Sequence, residues 1–208
     1  MTYIPEHFRE TDRERLHAFL RDYPFGALVT VADGVPFASH LPFIYEAHRG
    51  AHGTLCGHMA RANPQWRHLA NAERVLAIFE GPHTYISPSW YAHPGVPTWN
   101  YSVVHVYGRP TVLDDVDAVS RIIERLTTVN EARFSPPWQV DLAEPRTRRM
   151  LDFIVGFEIE VTSIEGKFKM SQNRPEEDRR RVIEQLGRSE SQMDRAVAEM
   201  MREVLAGK

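Results

Sequence analysis

The chain has 208 residues and a formal net charge of -3 at pH 7, with 25 Lys and Arg against 28 Asp and Glu. This balance gives the chain as a whole no electrostatic footprint for nucleic acid, so a DNA contact would have to be local. The single cysteine, Cys56, excludes an intrachain disulfide framework and a cysteine-rich zinc site, and it is typical of a small buried side chain in a reducing compartment. The N-terminus is polar and acidic, and no apolar run approaches the length of a membrane span, so we expect a cytoplasmic protein with no membrane contact.

The first half of the chain is predicted to be mainly antiparallel strands. Thr11 and Glu14 form a capping-box pattern that begins a helix. Asp33-Gly34 is a hairpin turn signal between two apolar, β-branched runs. The predicted elements in chain order are a helix over 11–23, strands over 25–32 and 35–47, a strand over 54–58, a short helix over 63–69, and strands over 74–80, 83–87 and 102–113.

The second half changes to helical periodicity. The predicted elements are a helix over 114–134, an irregular Pro-rich connection over 135–145, one or two helical turns over 146–154, a strand over 156–163, and two helices after Pro175 that are separated at Gly187. This pattern predicts an α+β protein on a small antiparallel β-barrel, with one crossing helix and a C-terminal helical hairpin. We divide it into a barrel domain over 1–174 and a helical extension over 175–208. Side chains fill a barrel this small, so a cofactor would have to lie outside it or between subunits.

The segment from Gly81 to Gly108 is unusually rich in aromatic residues, histidines and prolines. It contains Trp90 and Trp99, four tyrosines, three histidines and four prolines. Flat rings on a stiff backbone suit a planar ligand. The same composition is found in core segments and dimer interfaces, so both interpretations stay open.

Two further stretches contain groups that suit an anion. In GHMARANPQW, His58, Arg61 and Asn63 lie between a strand and a helix, where phosphate often binds. The alternative is that Asn63 only caps the helix and Arg61 is a solvated side chain. In GKFKMSQNR, Lys167 and Lys169 could close over an anion, but alternating charges are equally typical of an edge strand.

Several other chemistries lack a motif. The ten histidines show no metal-binding spacing, so we predict no metal site, and no serine-hydrolase elbow, dinucleotide fingerprint or P-loop is present. The sequence therefore identifies no catalytic residue. VIEQLGRSESQMDRAVAEM superficially resembles a helix-turn-helix, yet its second helix has Asp194, Glu199 and Glu203 where cations would be needed to face DNA.

Long blocks of this sequence resemble the PaiB family, whose members are described as FMN-binding negative transcriptional regulators linked with protease synthesis and sporulation. The blocks are MTYIPEHF, HLPF, GHMARANPQW, GPHTYISPSWY, VPTWNY, VHVYGRP, IVGFEIEV and EGKFKMSQNR, and they span almost the whole chain. The resemblance implies a flavin-binding split barrel that forms a homodimer with FMN pockets at the subunit interface. It leaves open a flavin-dependent oxidoreductase acting on a small substrate, or a dimeric scaffold that has lost flavin.

The resemblance also implies cofactor-binding positions. The phosphate end falls at Ser39, His40, His58, Arg61 and Asn63, the ring end at Trp99 and Asn100, and the anion-suited segment adds Lys167, Lys169 and Gln172. Related oxidases carry an Arg-Lys pair where Ala62, Asn63 and Pro64 stand here, which implies a weaker or differently arranged phosphate contact. We expect Arg61→Ala to weaken FMN binding more than Lys169→Ala does.

Overall fold

The computed structural model describes residues 2–207 and has the predicted α+β architecture. Its strands are β1 Arg9–Glu10, β2 Phe25–Ala32, β3 Val35–Pro42, β4 Ile44–Glu46, β5 Thr54–Ala60, β6 Val75–Ile86, β7 Thr98–Leu113 and β8 Ile154–Lys169. Its α-helices are α1 Arg13–Asp22, α2 Gln65–Asn71, α3 Val116–Glu131, α4 Pro145–Met150, α5 Glu176–Gly187 and α6 Gln192–Leu205. Short 3-10 helices lie at Glu6–Phe8, Pro88–Trp90 and Leu151–Phe153.

The strands form one antiparallel sheet in the order β3-β2-β6-β7-β8-β5-β4, and β1 pairs with β8. The β2-β3 hairpin has the predicted register, with Ala32 opposite Val35. Its turn residues, Asp33 and Gly34, have φ values of 52° and 78°, a left-handed conformation that Gly and Asp tolerate best. The turn signal in the sequence therefore determined this hairpin.

Two compact units divide the chain. The terminal unit comprises Met1–Leu16, Glu80–Val104 and Glu165–Lys208, and the central unit comprises His17–Phe79 and His105–Ile164. Strands β6, β7 and β8 contribute residues to both units. The division into 1–174 and 175–208 stays a prediction, and residues 1 and 208 at its outer limits lie outside the described residues.

In the central unit, the predicted crossing helix α3 packs on β5 and β8. Asp115 caps α3 by accepting a hydrogen bond from the Ala118 amide at 2.9 Å. Ile122 and Leu126 bury their side chains against Cys56. A Cβ added at Gly156 would lie 3.2 Å from Ile122, so the absence of a side chain there lets the helix approach the sheet closely.

In the terminal unit, the α5-α6 hairpin buries one apolar face and is attached to the sheet by polar contacts. The buried side chains of the hairpin include Val182, Leu186, Val197 and Met201. Thr84 on β6 donates a hydrogen bond to Asp194 at the start of α6, at 2.6 Å. An acidic residue that is unsuited to a DNA-facing position thus has a structural contact within the fold.

Several strand predictions differ from the structure. The strand predicted at 35–47 is divided into β3, which pairs with β2, and β4, which pairs with β5. The segments predicted at 74–80 and 83–87 form the single strand β6, which continues through the buried Pro82. The Pro82 carbonyl accepts a hydrogen bond from the Ser102 hydroxyl. The strand predicted at 156–163 extends as β8 to Lys169, because Gly166 and Lys167 pair with β1. Local turn signals ended the strands predicted at 74–80 and 156–163 too early, since pairing with distant strands outweighed them.

Candidate functional site

The junction between β5 and α2 lies in the central unit and contains three of the predicted cofactor-binding residues, His58, Arg61 and Asn63, while Ser39 and His40 lie on β3 of the same unit. The Asn63 side chain accepts a hydrogen bond from the Gln65 amide at 3.0 Å and donates one to the Ser39 hydroxyl at 2.8 Å. The bond from Gln65 shows that Asn63 caps helix α2, which was the alternative to a role in phosphate binding. The same residue also connects the junction to Ser39 on β3.

Arg61 is held by groups of its own unit. Its Nε donates to the carbonyl oxygen of Asp152 at 2.8 Å, and its Nη2 donates to the Ile154 carbonyl at 3.0 Å and to the Asp114 carboxylate at 2.5 Å. Its backbone amide donates to the Phe153 carbonyl at 2.8 Å. Arg61 thus fastens the junction to the start of β8.

His58 and Gln65 are polar groups in the interior of the junction. Nδ1 of His58 is buried and has no hydrogen-bond partner among the described residues, and burial lowers the pKa of this imidazole. Gln65 is completely buried, and its Nε2 donates to the carbonyls of Leu28 and Phe37 and to the Thr30 hydroxyl. Gln65 therefore holds α2 against the β2-β3 hairpin.

The sequence reasoning missed Gln65 and Arg67. Arg67 is exposed, its guanidinium carbon lies 4.4 Å over the Trp66 ring, and no ion pair to it occurs within residues 2–207. The Trp66 indole is itself fixed by donating to the Arg61 carbonyl at 3.0 Å. Arg67 directly follows the GHMARANPQW motif. The sequence feature that indicates its role is the Trp66-Arg67 pair, since a guanidinium can lie over an aromatic ring. His40, also predicted, is exposed and stacks on Phe25 with ring centroids 6.3 Å apart.

The terminal unit contains an open cavity of about 330 Å³ within the aromatic segment. Its lining residues are Glu80, His83, Trp99, Tyr101, Ser102 and Val103. Trp99 is 53% exposed, with the His83 ring 6.5 Å and the Tyr85 ring 6.2 Å from it. A cavity of this volume is at the small end of the range for ligand sites, and its exposed indole offers a flat face to a planar ring.

Two lysines of β8 contact the strand that lines the cavity, Lys169 through its backbone and Lys167 through a ring. Nζ of Lys169 donates to the Thr98 hydroxyl and to the Trp99 carbonyl, both at 2.5 Å. Partial burial, with a smaller contribution from Lys167, lowers the pKa of Lys169. Nζ of Lys167 lies 5.3 Å over the Tyr101 ring. These cations therefore hold the aromatic strand in position.

Asn100 and Gln172 make buried or local contacts in the same unit. Asn100 is fully buried, accepts a hydrogen bond from the Ser171 hydroxyl at 3.1 Å and donates to the Met201 sulfur at 3.3 Å. Gln172 accepts a hydrogen bond from the Met170 amide and donates to the Phe168 carbonyl. The structure thus places five of the predicted residues in each unit: Ser39, His40, His58, Arg61 and Asn63 in the central unit, and Trp99, Asn100, Lys167, Lys169 and Gln172 in the terminal unit.

A cluster of ionisable groups around the buried Cys56 lies against α3 in the central unit. Cys56 donates to Glu46 at 3.1 Å, and Glu158 also lies near the thiol. Arg49 pairs with both carboxylates and Arg125 pairs with Glu46 at 2.6 Å. Burial and the neighbouring carboxylates raise the pKa of the Cys56 thiol, so it is protonated at neutral pH. The two arginines neutralise the carboxylates that a cation would need, and the cluster is a structural ion-pair network.

Comparison with known proteins identifies the family. The family model described as "Putative FMN-binding domain" matches residues 2–163. This chain belongs to that FMN-binding-domain family. It is also 39% identical over 203 residues to the Protease synthase and sporulation protein PAI 2 of Bacillus subtilis, covering 98% of each chain, which confirms the resemblance to the PaiB family. FMN is accordingly the cofactor of this chain, as the sequence predicted.

Solved structures show the same fold at low sequence identity. The flavocytochrome Anf3 of Azotobacter vinelandii matches with a TM-score of 0.62 and 14% identity, covering 85% of this chain and 78% of that one. The FAD and heme binding protein of Mycobacterium smegmatis matches with a TM-score of 0.59 and 19% identity, covering 78% and 73% of the two chains. The fold is thus the predicted split-barrel type. Within residues 2–207, no helix combines the length and the apolar character needed to span a membrane.

Proposed function

We propose that this member of the FMN-binding-domain family is a homodimeric regulator that binds FMN and represses transcription in response to it. The observation that carries the proposal is the open aromatic cavity around Trp99, in a chain whose family binds FMN. When bound, FMN supplies reversible one-electron and two-electron transfer. The protein's own residues would hold the cofactor and limit its exposure to water.

The aromatic cavity is proposed to take a planar ring. Trp99 offers an exposed indole face, and Tyr101 and His83 line the same cavity. Lys169 fixes the Trp99 backbone through its carbonyl, so the indole is presented from a strand that cannot easily shift. A preorganised aromatic wall loses little conformational entropy when a ring stacks on it.

The junction is proposed to take a phosphate monoester. Ser39 and Asn63 supply polar groups from two neighbouring elements, and His58 has a buried nitrogen without a partner in the described part of the chain. Arg67 supplies a cation that no carboxylate of the described chain neutralises. These groups fit a phosphate, whose oxygens accept several hydrogen bonds at once. Arg61 acts as a positioning residue, because its own donors are engaged by β8.

Titration of the apoprotein with FMN tests the cofactor proposal. We expect quenching of flavin fluorescence, and Trp99→Ala should raise the Kd for FMN about tenfold, the size of one aromatic stacking contact. Trp138→Ala is the matched control, because Trp138 is similarly exposed but lies in the central unit. A colourless protein that does not quench flavin would contradict the proposal and favour a scaffold without cofactor.

The dimer proposal rests on an exposed sheet edge. Strand β3 is at one edge of the sheet, and each of its residues is at least partly exposed. Val35 on β3 and its neighbours Phe25 and Val31 on β2 are more than 60% exposed. Long apolar edges favour association unless something covers them, so a second copy of the chain is the expected cover. Sedimentation of the wild-type protein at micromolar concentration should give the mass of a dimer. The Val35→Lys variant should give a mass closer to that of the monomer. A monomer mass for the wild-type protein would contradict the dimer proposal.

Repression is proposed to depend on the flavin, and the α5-α6 hairpin is not proposed to read DNA directly. Three of its arginines pair with glutamates of α5, Arg180 with Glu176, Arg181 with Glu177 and Arg188 with Glu184. A deletion strain should show raised transcripts of the regulated genes. Complementation with wild-type protein should restore repression, whereas Trp99→Ala should restore it only weakly. Equal restoration by both would mean that repression does not use the cofactor.

A further inference from the structure

The central unit has a second open cavity, which the cofactor proposal does not use. Its volume is about 490 Å³, and it is lined by Glu73 and Arg74 before β6, by Arg109 on β7 and by Thr162 on β8. The β5-β8 pairing places Ala60 opposite Ile154 and Thr54 opposite Glu160. Thr162 lies eight residues beyond Ile154, or about 26 Å along an extended strand, so this groove is separate from the junction at Arg61.

Arg74 is held in a fixed orientation without being neutralised. Its guanidinium carbon lies 4.7 Å over the Tyr107 ring, and Nη2 donates to the Ser163 hydroxyl at 3.1 Å. Within residues 2–207 no carboxylate forms an ion pair with it, in contrast to the paired arginines of α5. The stacked ring and the single hydroxyl leave most of its N–H donors available in one plane.

Arg109 brings a second guanidinium to the same groove. Its ion pair with Glu160 is loose, at 3.9 Å, and both side chains are more than half exposed, so the pair stabilises little. The Thr162 hydroxyl donates its proton to the Tyr107 carbonyl at 3.1 Å, so Thr162 lines the groove and the two guanidiniums supply its donors. Two guanidiniums around one concavity repel each other unless an anion lies between them.

We propose that this groove, formed by Glu73, Arg74, Arg109 and Thr162, binds a small organic anion through its phosphate or carboxylate groups. Arg74 is the oriented donor, and Arg109 is the mobile cation that closes on the ligand. Glu73 is the one acidic side chain in the lining and limits the affinity for highly charged ligands. The volume accommodates a molecule larger than inorganic phosphate, which gives the groove room for an organic part beside the anionic group.

Calorimetric titration of the full-length, FMN-saturated protein tests the proposal, with inorganic pyrophosphate and citrate as the two probes. We expect saturable binding of at least one probe, and the probe that binds identifies phosphate or carboxylate as the preferred group. Arg74→Gln and Arg109→Gln should each weaken binding, and the double variant should weaken it by about tenfold or more. Glu73→Gln should strengthen binding of pyrophosphate.

Matched controls separate this site from the cofactor site. Arg148→Gln removes an exposed arginine elsewhere in the central unit and should leave probe binding unchanged. Arg74→Lys keeps the charge but loses the planar stack, and it should bind less tightly than wild type but more tightly than Arg74→Gln. All groove variants should keep the wild-type Kd for FMN and wild-type Tm. Absence of saturable binding of both probes at millimolar concentration, or equal binding by the double variant, would overturn the proposal without affecting the cofactor proposal.

Discussion

The β5-α2 junction and the aromatic segment from Gly81 to Gly108 both attract attention in the sequence, but their polar and aromatic groups are used differently. At the junction, Arg61 and Gln65 direct their donors to backbone carbonyls of their own unit. In the aromatic segment, Trp99 presents an exposed face, and Lys169 contacts its backbone carbonyl and the neighbouring Thr98 hydroxyl instead of the indole ring. The Arg61 cation is thus engaged by the fold, whereas the exposed Trp99 indole keeps its face available for a ligand.

The largest expected effect concerns the middle of the aromatic segment, which the buried Asp178 holds in position. Its carboxylate accepts hydrogen bonds from the amides of Ala92 and His93, from the His93 ring at 3.1 Å and from Arg174 at 2.5 Å. Asp178→Ala leaves these donors and a cation unpaired, so the free energy of unfolding should fall by about 3–5 kcal/mol. Urea denaturation measures it. Glu177→Ala, which breaks an exposed helical pair with Arg181, should cost under about 0.5 kcal/mol; equal losses would show that Asp178 does not hold the segment.

The pH dependence of stability also tests the contribution of Asp178. Burial alone raises the pKa of Asp178, but the hydrogen bonds from His93, Ala92 and Arg174 outweigh it and lower this pKa to about 2. Because the pKa is lower in the folded state, the stabilisation is complete above the unfolded value near 4 and is lost as the pH falls through 2. Stability measured over this range should therefore fall more steeply for wild type than for Asp178→Asn. Parallel curves would contradict the assignment.

At the junction, Gln65→Leu tests whether the hydrogen bonds of the Gln65 side chain stabilise the fold. The substitution keeps the approximate volume but leaves the Leu28 and Phe37 carbonyls without their side-chain donor, so we expect a loss of about 1–3 kcal/mol in stability. Thermal denaturation and FMN titration should be measured together. Gln65→Glu is a useful second variant, because it keeps the shape and removes the donor. If both variants are as stable as wild type, the hydrogen bonds of the Gln65 side chain do not stabilise the fold.

The smallest expected effects are those of Arg61→Ala and Lys169→Ala on FMN binding, which indicate whether the phosphate binds at the junction or at the GKFKMSQNR segment. Arg61→Ala should raise the Kd for FMN by up to about tenfold, because the junction loses its attachment to β8, while Lys169→Ala should change it by less than about threefold. Flavin fluorescence measures both Kd values, and Tm values show whether each variant is folded. If Lys169→Ala abolishes binding while Arg61→Ala has no effect, the phosphate belongs to the GKFKMSQNR segment.

Much of the fold could be predicted because its signals are local. The Asp33-Gly34 turn, the apolar periodicity of α3 and the break near Gly187 each depend on residues within a few positions of one another. The sequence also indicated the aromatic segment, since its composition is unusual whatever it contacts. The resemblance to the PaiB family then implied the cofactor, which the family match supports.

The sequence by itself determined most of the helices and strands, the family and the residue types available for a flavin, but not all of the strand bounds. Only the tertiary structure decided which of those residues are already engaged. Arg61 meets Asp114 and Ile154, and His93 meets Asp178, across separations of 53 to 93 positions in the chain. Such contacts depend on which strands and helices become neighbours, and no local spacing encodes that, because a side chain forms the same bonds with a near or a distant partner once packing has brought the two together.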